Sequence, residues 1–259
     1  MPMNNPLGQR SFGSRSIQAT YQPYDSSMHE IISRFKSSYK EATNLKACLT
    51  YEGKSIKQTE EVSDYLSRSR IIMAYSAFDL FMHEIVYHGY EMMQRGKLNK
   101  SNGYLRFKKE QEDNKRLFKE QYKETFGRVT LTSSNLKDAL RDLGFNPMEV
   151  ANLYCEKQGL SCRGNLALEK VNTELNTKAS RRNAIVHAYD YDIYNGQQNE
   201  IDEKTSDEFV TFISGVVNTI CEFVDTQWNR SMNTMSHEEL IKGSNELKKN
   251  RIARPTLCE

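Results

Sequence analysis

The stretch Arg181-Arg182-Asn183-Ala184-Ile185-Val186-His187-Ala188-Tyr189 gathers fixed cations, an amide and a titratable imidazole beside a short apolar run. A guanidinium is charged at every working pH and meets phosphate oxygens with a planar fork. An imidazole, with an ordinary pKa of roughly 6.5, can give or take a proton near neutrality. An amide can fix a ligand or orient a ring without adding charge. Arg182, Asn183 and His187 together can therefore hold a phosphodiester and move a proton, which is what RNA cleavage without a metal requires. The same string also reads as a solvated Arg pair near a helix end, followed by a structural His beside Val and Ile.

Spacing constrains the first reading. On a helix, Asn183 and His187 share a face. Arg182 and His187 point about 140° apart around the axis. One isolated helix presents them poorly to one small group. Either the long Arg reaches around, or the helix starts near Arg182, or a second copy of the chain completes the site.

The elements that must position these residues read as helices. Ile31, Phe35, Tyr39 and Ala42 share one face of a helix expected from Ser27 to about Tyr51. The strongest pattern runs from about Gln58 to Arg95. There Ile71, Ala74, Tyr75, Phe78, Phe81, Met82 and Ile85 make a wide apolar stripe, with Ser76, Asp79 and His83 on another side. Those three read either as an ordinary polar face or as the border of a catalytic groove. Residues 97–128 are rich in Lys and Arg, with Phe107, Leu117, Phe118 and Tyr122 interleaved. This segment reads as a solvated helix with internal ion pairs, Glu120 and Glu124 against Lys119 and Lys123, or as a basic surface that tracks RNA. Short helices follow, one from Ser134 to Gly144 and one opened by Asn146-Pro147 and ended near Gly159. The next is helical from about Asn165 to Glu174, with Thr177 or Ser180 expected to cap or bend the chain before the motif. Asp190 to Gly196 reads as a loop. Thr205-Ser206-Asp207-Glu208 reads as a capping box ahead of Phe209, Phe212, Ile213, Val216, Ile220, Phe223 and Val224. Ser236 is expected to start a final peripheral helix. No region alternates as a strand does, so the fold class is all-α, a bundle of long antiparallel helices. The expected organisation is a mobile arm over 1–26, a helical domain over 27–232 with an elaboration at 97–160, and a peripheral tail over 233–259.

The string R-N-A-I-V-H resembles the R-x4-6-H motif of the HEPN superfamily, with that motif's common polar residue after the Arg. Upstream, Ser69-Arg70-Ile71-Ile72-Met73-Ala74-Tyr75-Ser76-Ala77-Phe78-Asp79-Leu80-Phe81-Met82 resembles the superfamily's first long helix. That helix often carries an acidic residue where Asp79 stands, and Asp in place of Glu is a small departure. The pairing is most similar to the RiboL-PSP-HEPN branch and covers roughly residues 58 to 230. The resemblance implies an all-α HEPN-like bundle and a metal-independent endoribonuclease without a cofactor, often a toxin or an anti-phage effector. It implies Arg182, Asn183 and His187 as catalytic residues, supported by Asp79, and a homodimer in which two motifs face one groove. It also implies an antitoxin or defence-system protein as a partner.

The longer string R-N-A-I-V-H-A-Y resembles the R-x4-6-H-x-Y pattern of HEPN toxins paired with nucleotidyltransferase antitoxins. In those the Tyr, here Tyr189, can be nucleotidylated and the toxin silenced. Tyr189 reads otherwise as a core or groove-lining aromatic. The rival class is a non-catalytic HEPN-like module that binds nucleotides or proteins.

Composition sets outer bounds. With 37% hydrophobic and 27% charged residues the chain can bury a core, and only 13 Gly and 5 Pro argue against a turn-rich β architecture. The net charge of +2 gives no global basic field, so any phosphate-binding surface must be local. Cys48, Cys155, Cys162, Cys221 and Cys258 form no C-x-x-C pair and read as incidental thiols in a reducing cytoplasm. With no His near Cys155 and Cys162, a zinc site is not expected. Residues 1–23 lack the apolar core of a secretory signal, and no stretch is expected to approach a membrane span of roughly 20 apolar residues.

Overall fold

The computed structural model describes residues 28–47, 50–51, 54–55, 60–127, 133–188, 190–191 and 197–252, and their side chains apart from 46–62, 133–135, 188 and 229–252. The expected N-terminal arm, Cys48, Tyr189, Asn195-Gly196 and Cys258 lie outside the described residues. The elements, in order, are α1 (Met28–Ala47), β1 (Thr50–Tyr51), β2 (Lys54–Ser55), α2 (Glu60–Gln94), α3 (Asn102–Asp113), α4 (Phe118–Phe126), α5 (Ser133–Asp142), α6 (Pro147–Lys157), α7 (Asn165–Ala188) and α8 (Glu203–Ile252). The fold is all-α with one small addition. The helix expected to reach Tyr51 ends at Ala47, and β1 and β2 pair antiparallel, Thr50 opposite Ser55.

The 35-residue α2 is the centre of the bundle and packs against α1, α5, α7 and α8. Its stripe of Ile71, Ala74, Tyr75, Phe78, Phe81, Met82 and Ile85 is fully buried, as the periodicity predicts. Burying one large apolar side chain contributes about 1.5–3 kcal/mol. A surface ion pair contributes about 0–1 kcal/mol, so this stripe, and not the many charged pairs outside, holds the helices together. Ionisable groups are buried with it. Glu84 accepts from Arg34 Nε of α1 at 2.9 Å, and burial still pushes its carboxyl above the ordinary carboxylate range. Arg70 donates to the Ala42 carbonyl at 3.2 Å and to Ser206 Oγ at 2.8 Å, and pairs with Asp207.

Two helix starts differ from expectation. The motif helix does not restart at Thr177 or Ser180; α7 is continuous over 24 residues. Thr177 Oγ1 donates back to the Thr173 carbonyl at 2.9 Å, so its hydroxyl is satisfied inside the helix and no cap is needed. At α8 the cap is Asp202, whose Oδ1 accepts the Thr205 N–H at 2.6 Å. Hydrogen bonds from Thr205 hold that carboxyl below its ordinary range. Ser206, expected in the capping box, instead donates to the Glu203 carbonyl and accepts from Arg70. α8 continues through Ser236 to Ile252 as one helix, where a new helix was expected. By length and composition its Glu203–Trp228 stretch is apolar enough to cross a membrane, which corrects the expectation that no stretch approaches such a span. Here Phe209, Ile213, Val216, Val217, Ile220 and Val224 of that stretch are core residues.

The basic segment forms α3 and α4. Its interleaved aromatics face inward: Phe107, Phe118 and Tyr122 pack with Tyr87, Tyr90 and Phe126 at centroid distances of 4.7–6.3 Å. They are therefore not a platform for stacking bases. Tyr122 donates to the His83 carbonyl at 2.7 Å and ties the elaboration to α2. Glu120, expected to pair with neighbouring lysines, accepts the Leu117 N–H at the start of α4. Arg106, Lys109, Lys115, Arg116, Lys119 and Lys123 stay exposed.

Arg70→Ala would leave the buried Ser206 hydroxyl and the Asp207 carboxylate without their cation. Asp207 keeps 38% of its side chain exposed, so the expected loss is about 3 kcal/mol, the low end for breaking a buried pair. Urea unfolding measures it. An unchanged midpoint would mean that α1, α2 and α8 do not depend on this guanidinium.

Candidate functional site

α7 carries the whole described part of the motif, so its residues inherit helical directions. Arg182 turns toward α2, where its guanidinium carbon sits 5.7 Å from the centroid of the Tyr75 ring. Such a cation over an aromatic face is attracted by the ring quadrupole. Arg182 Nη1 donates to Asn183 Oδ1 at 2.9 Å, while Nε is buried without a hydrogen-bond partner. Tyr75 is fully buried. Burial pushes its hydroxyl up to about 12; the Asp79 charge adds to the rise and the Arg182 charge opposes it. The phenol therefore keeps its proton at neutral pH. Both charges act on the same hydroxyl, so Asp79 and Arg182, 103 positions apart in the chain, both lie near Tyr75. Asp79 Oδ1 is also 3.8 Å from His83 Nε2, one turn along α2.

His187 is exposed and has no hydrogen-bond partner among the described residues. Asn183 uses its carbonyl oxygen for Arg182, not for orienting His187. The structure thus gathers Arg182 and Asn183 at Tyr75, with Asp79 also near that ring, and no hydrogen bond or ion pair among the described residues joins His187 to them. Of the ways a single helix could have joined Arg182 to His187, neither is taken. The Arg leans on α2, and the helix starts far upstream at Asn165. Ser76 is exposed and His83 half-buried on α2.

Just beyond α7, Asp190 is completely buried. Its Oδ2 accepts from Arg68 Nε of α2 at 3.0 Å and lies 2.8 Å from Arg181 Nη2 of α7. The same guanidiniums reach the next strand of chain: Arg68 donates to the Asn199 carbonyl at 2.9 Å and Arg181 to the Glu200 carbonyl at 2.8 Å. Asn199 in turn donates to the Asp190 carbonyl from its N–H and its Nδ2, each at 2.8 Å. Sequence reading assigned Asp190 to a loop and Tyr75 to the core. Residue type marks neither as belonging to the site, because the α2 partner of Asp190 and the α7 partner of Tyr75 stand 122 and 107 residues away.

Among the described residues, no three His, Cys, Asp or Glu side chains gather as a metal ion would need. Cys155, Cys162 and Cys221 are free thiols. Burial, together with Cys162, pushes the Cys155 thiol up to about 11, which leaves it a poor nucleophile. A cleft of about 620 Å³ between α6, α7 and α8 is lined by Glu174, Glu203, Asp207 and Glu208 against Lys204. Its acidic lining would repel a phosphate backbone, and neither Arg182 nor His187 reaches it.

No curated protein and no solved structure matches the chain. A family model described as RiboL-PSP-HEPN matches residues 33–226. The matched span runs from the first turns of α1 to the core turns of α8 and contains Tyr75, Asp79 and the Arg182 to His187 motif. It begins well before residue 58, so α1, which Arg34 pins to Glu84, is part of the matched unit. On this match the chain belongs to the RiboL-PSP-HEPN family.

Proposed function

We propose that the chain is a metal-independent endoribonuclease whose centre is built on Arg182 and His187. The observation that carries this reading is a guanidinium held ready on Tyr75 and Asn183, with one N–H unpartnered, on the same helix as an exposed imidazole. HEPN domains are often ribonucleases, and that family membership supports it. RNA supplies the nucleophile. The ribose 2′-oxygen attacks the adjacent phosphorus, the bond to the 5′-oxygen breaks, and the products are a 2′,3′-cyclic phosphate and a 5′-hydroxyl. One imidazole takes the 2′-OH proton, and a protonated imidazole gives one to the leaving 5′-oxygen. Arg182 stabilises the charge that develops on the phosphoryl oxygens. Asn183 and Asp79 act through Arg182, as positioning residues.

Base and acid stand on opposite sides of the reacting phosphorus, and each chain brings one motif His. Two copies related by a two-fold axis would supply both, and would also bring a His187 to the Arg182 that its own chain leaves apart. A chain of this activity endangers its own cell, so the reading includes a restraining partner, an antitoxin or a defence-system protein, and a cytoplasmic setting. The second reading, a non-catalytic binding module, draws on the separation of Arg182 from His187 within one chain.

His187→Ala and Arg182→Ala should each lower cleavage of total RNA by at least about 100-fold, with circular dichroism unchanged. Full activity of the His187→Ala protein would reject the centre and favour the binding module. Cleavage should persist in EDTA, because the proposed chemistry is carried by side chains alone. Loss on chelation, restored by a divalent ion, would show a different mechanism.

The dimer is tested by co-expressing wild-type and His187→Ala chains in varied ratio. If both copies serve each centre, activity falls as the square of the wild-type fraction. A linear fall, or full activity in a species that sediments as a monomer, would assign the whole centre to one chain.

A further inference from the structure

His187 lies in the last turn of α7, where the backbone carbonyls lack partners within the helix and the end is free to fray. An imidazole that must approach a ribose hydroxyl within hydrogen-bond reach cannot ride on a fraying end. The chain immediately beyond answers this. Asp190 takes a left-handed backbone conformation, φ +66°, and its N–H returns to the Ala184 carbonyl at 2.9 Å, which closes the helix end. Its carboxylate then binds one guanidinium from each of two helices, Arg68 of α2 and Arg181 of α7. Both cations also hold the 199–200 backbone, and Asn199 holds Asp190 itself. The result is a closed ring of α2, the end of α7 and the returning chain, centred on one carboxylate with no exposed surface. Asp64 touches Arg68 only from the rim, at 3.6 Å and 38% exposed.

We infer that Asp190 is a positioning residue of the proposed ribonuclease centre: through Arg68 and Arg181 it fixes the last turn of α7 and so the place of His187. The inference rests on the ribonuclease reading for its effect on rate. It also assigns the two adjacent arginines different duties. Arg181 is committed to Asp190 and is not a phosphate ligand; Arg182 faces Tyr75 and is.

The test uses Asp190→Gly in the full chain. Glycine adopts positive φ without strain, so the substitution removes the carboxylate while suiting the turn, and leaves a carboxylate-sized gap between two guanidiniums. Formate fits that gap. With the variant shown folded at the assay temperature by circular dichroism and cooperative melting, kcat on a short RNA should fall about 10- to 100-fold, with KM nearly unchanged. Formate should restore kcat, and chloride at equal ionic strength should not. Backbone amide exchange over residues 183–188 should quicken in the variant and slow again with formate. Wild-type kcat in the folded variant, a change in KM alone, or exchange and rate indifferent to formate would each overturn the inference. Should Asp190→Gly not fold, Arg68→Lys keeps the charge but loses the fork that spans Asp190 and Asn199. It should show the same fall in kcat at constant KM, and an unchanged kcat would overturn the inference. If the wild-type chain itself cuts no RNA, the ribonuclease reading fails. The exchange measurement with and without formate then still decides whether Asp190 holds the helix end.

Discussion

α2 is buried along most of its length, and Arg68, Arg70 and Glu84 are buried with it. An ionised group taken out of water is costly unless another element brings an opposite charge or hydrogen-bonding atoms to it. Each of the three is met by a different part of the chain: Glu84 by Arg34 of α1, Arg70 by Ser206 and Asp207 of α8, and Arg68 by Asp190 beyond α7. Apolar side chains alone would let neighbouring helices slide or rotate at modest cost. These three pairings do not, because a slip of one turn would strand a buried charge. Arg68 and Arg70 stand about 200° apart around α2, so they fix elements on opposite sides of it.

The chemistry inherits this register. With the end of α7 tied to Arg68, the helix meets α2 where Arg182 falls on the Tyr75 ring. A guanidinium on an aromatic face, with its neighbour's amide on Nη1, has little freedom left to lose when a phosphate arrives. That is the sense in which a site is preorganised: the cost of ordering is met during folding and not at the moment of reaction. Charge is arranged as locally as the small net charge requires. The cleft between α6, α7 and α8 is acidic, exposed lysines and arginines lie on α3 and α4, and Arg182 is half-buried on the Tyr75 ring.

Much of this was legible before any coordinates. The stripe from Ile71 to Ile85 marked the central helix, because a 3.6-residue period of apolar side chains has only one way to be buried. Asn146-Pro147 and Gly144 marked boundaries, since proline suits a first turn and glycine a positive φ; Asn146 does cap α6, and Gly144 has φ +80°. Capping failed where two candidates competed. Asp202 and the Thr205-Ser206 pair are both good caps, and tertiary demand decided: Arg70 needed Ser206 inside the helix. Thr177 failed likewise, because a hydroxyl can be satisfied by its own helix. At the site the motif was legible as a local string, while Tyr75 beneath Arg182 and Asp190 between Arg68 and Arg181 were not. Residue type alone gives a buried Tyr no reason to be more than core, nor a loop Asp any reason to be buried.

The Arg-Arg pair shows how far charge counting can mislead. Read as a string, Arg181-Arg182 is a doubled cation beside a His, twice the attraction for a phosphate. On a helix, adjacent residues diverge by about 100°, so two neighbours cannot serve one small target. The fold resolves this by giving each a different partner. Arg181 binds Asp190 directly through Nη2 and ends as structure; Arg182 meets the Tyr75 ring and the Asn183 amide and forms no ion pair among the described residues, and in each the buried Nε has no hydrogen-bond partner. The difference between them is not side-chain chemistry, which is identical, but whether a buried carboxylate already neutralises the charge. A guanidinium neutralised by a buried carboxylate has little attraction left for a phosphate, and one that rests on a ring beside an amide keeps its charge.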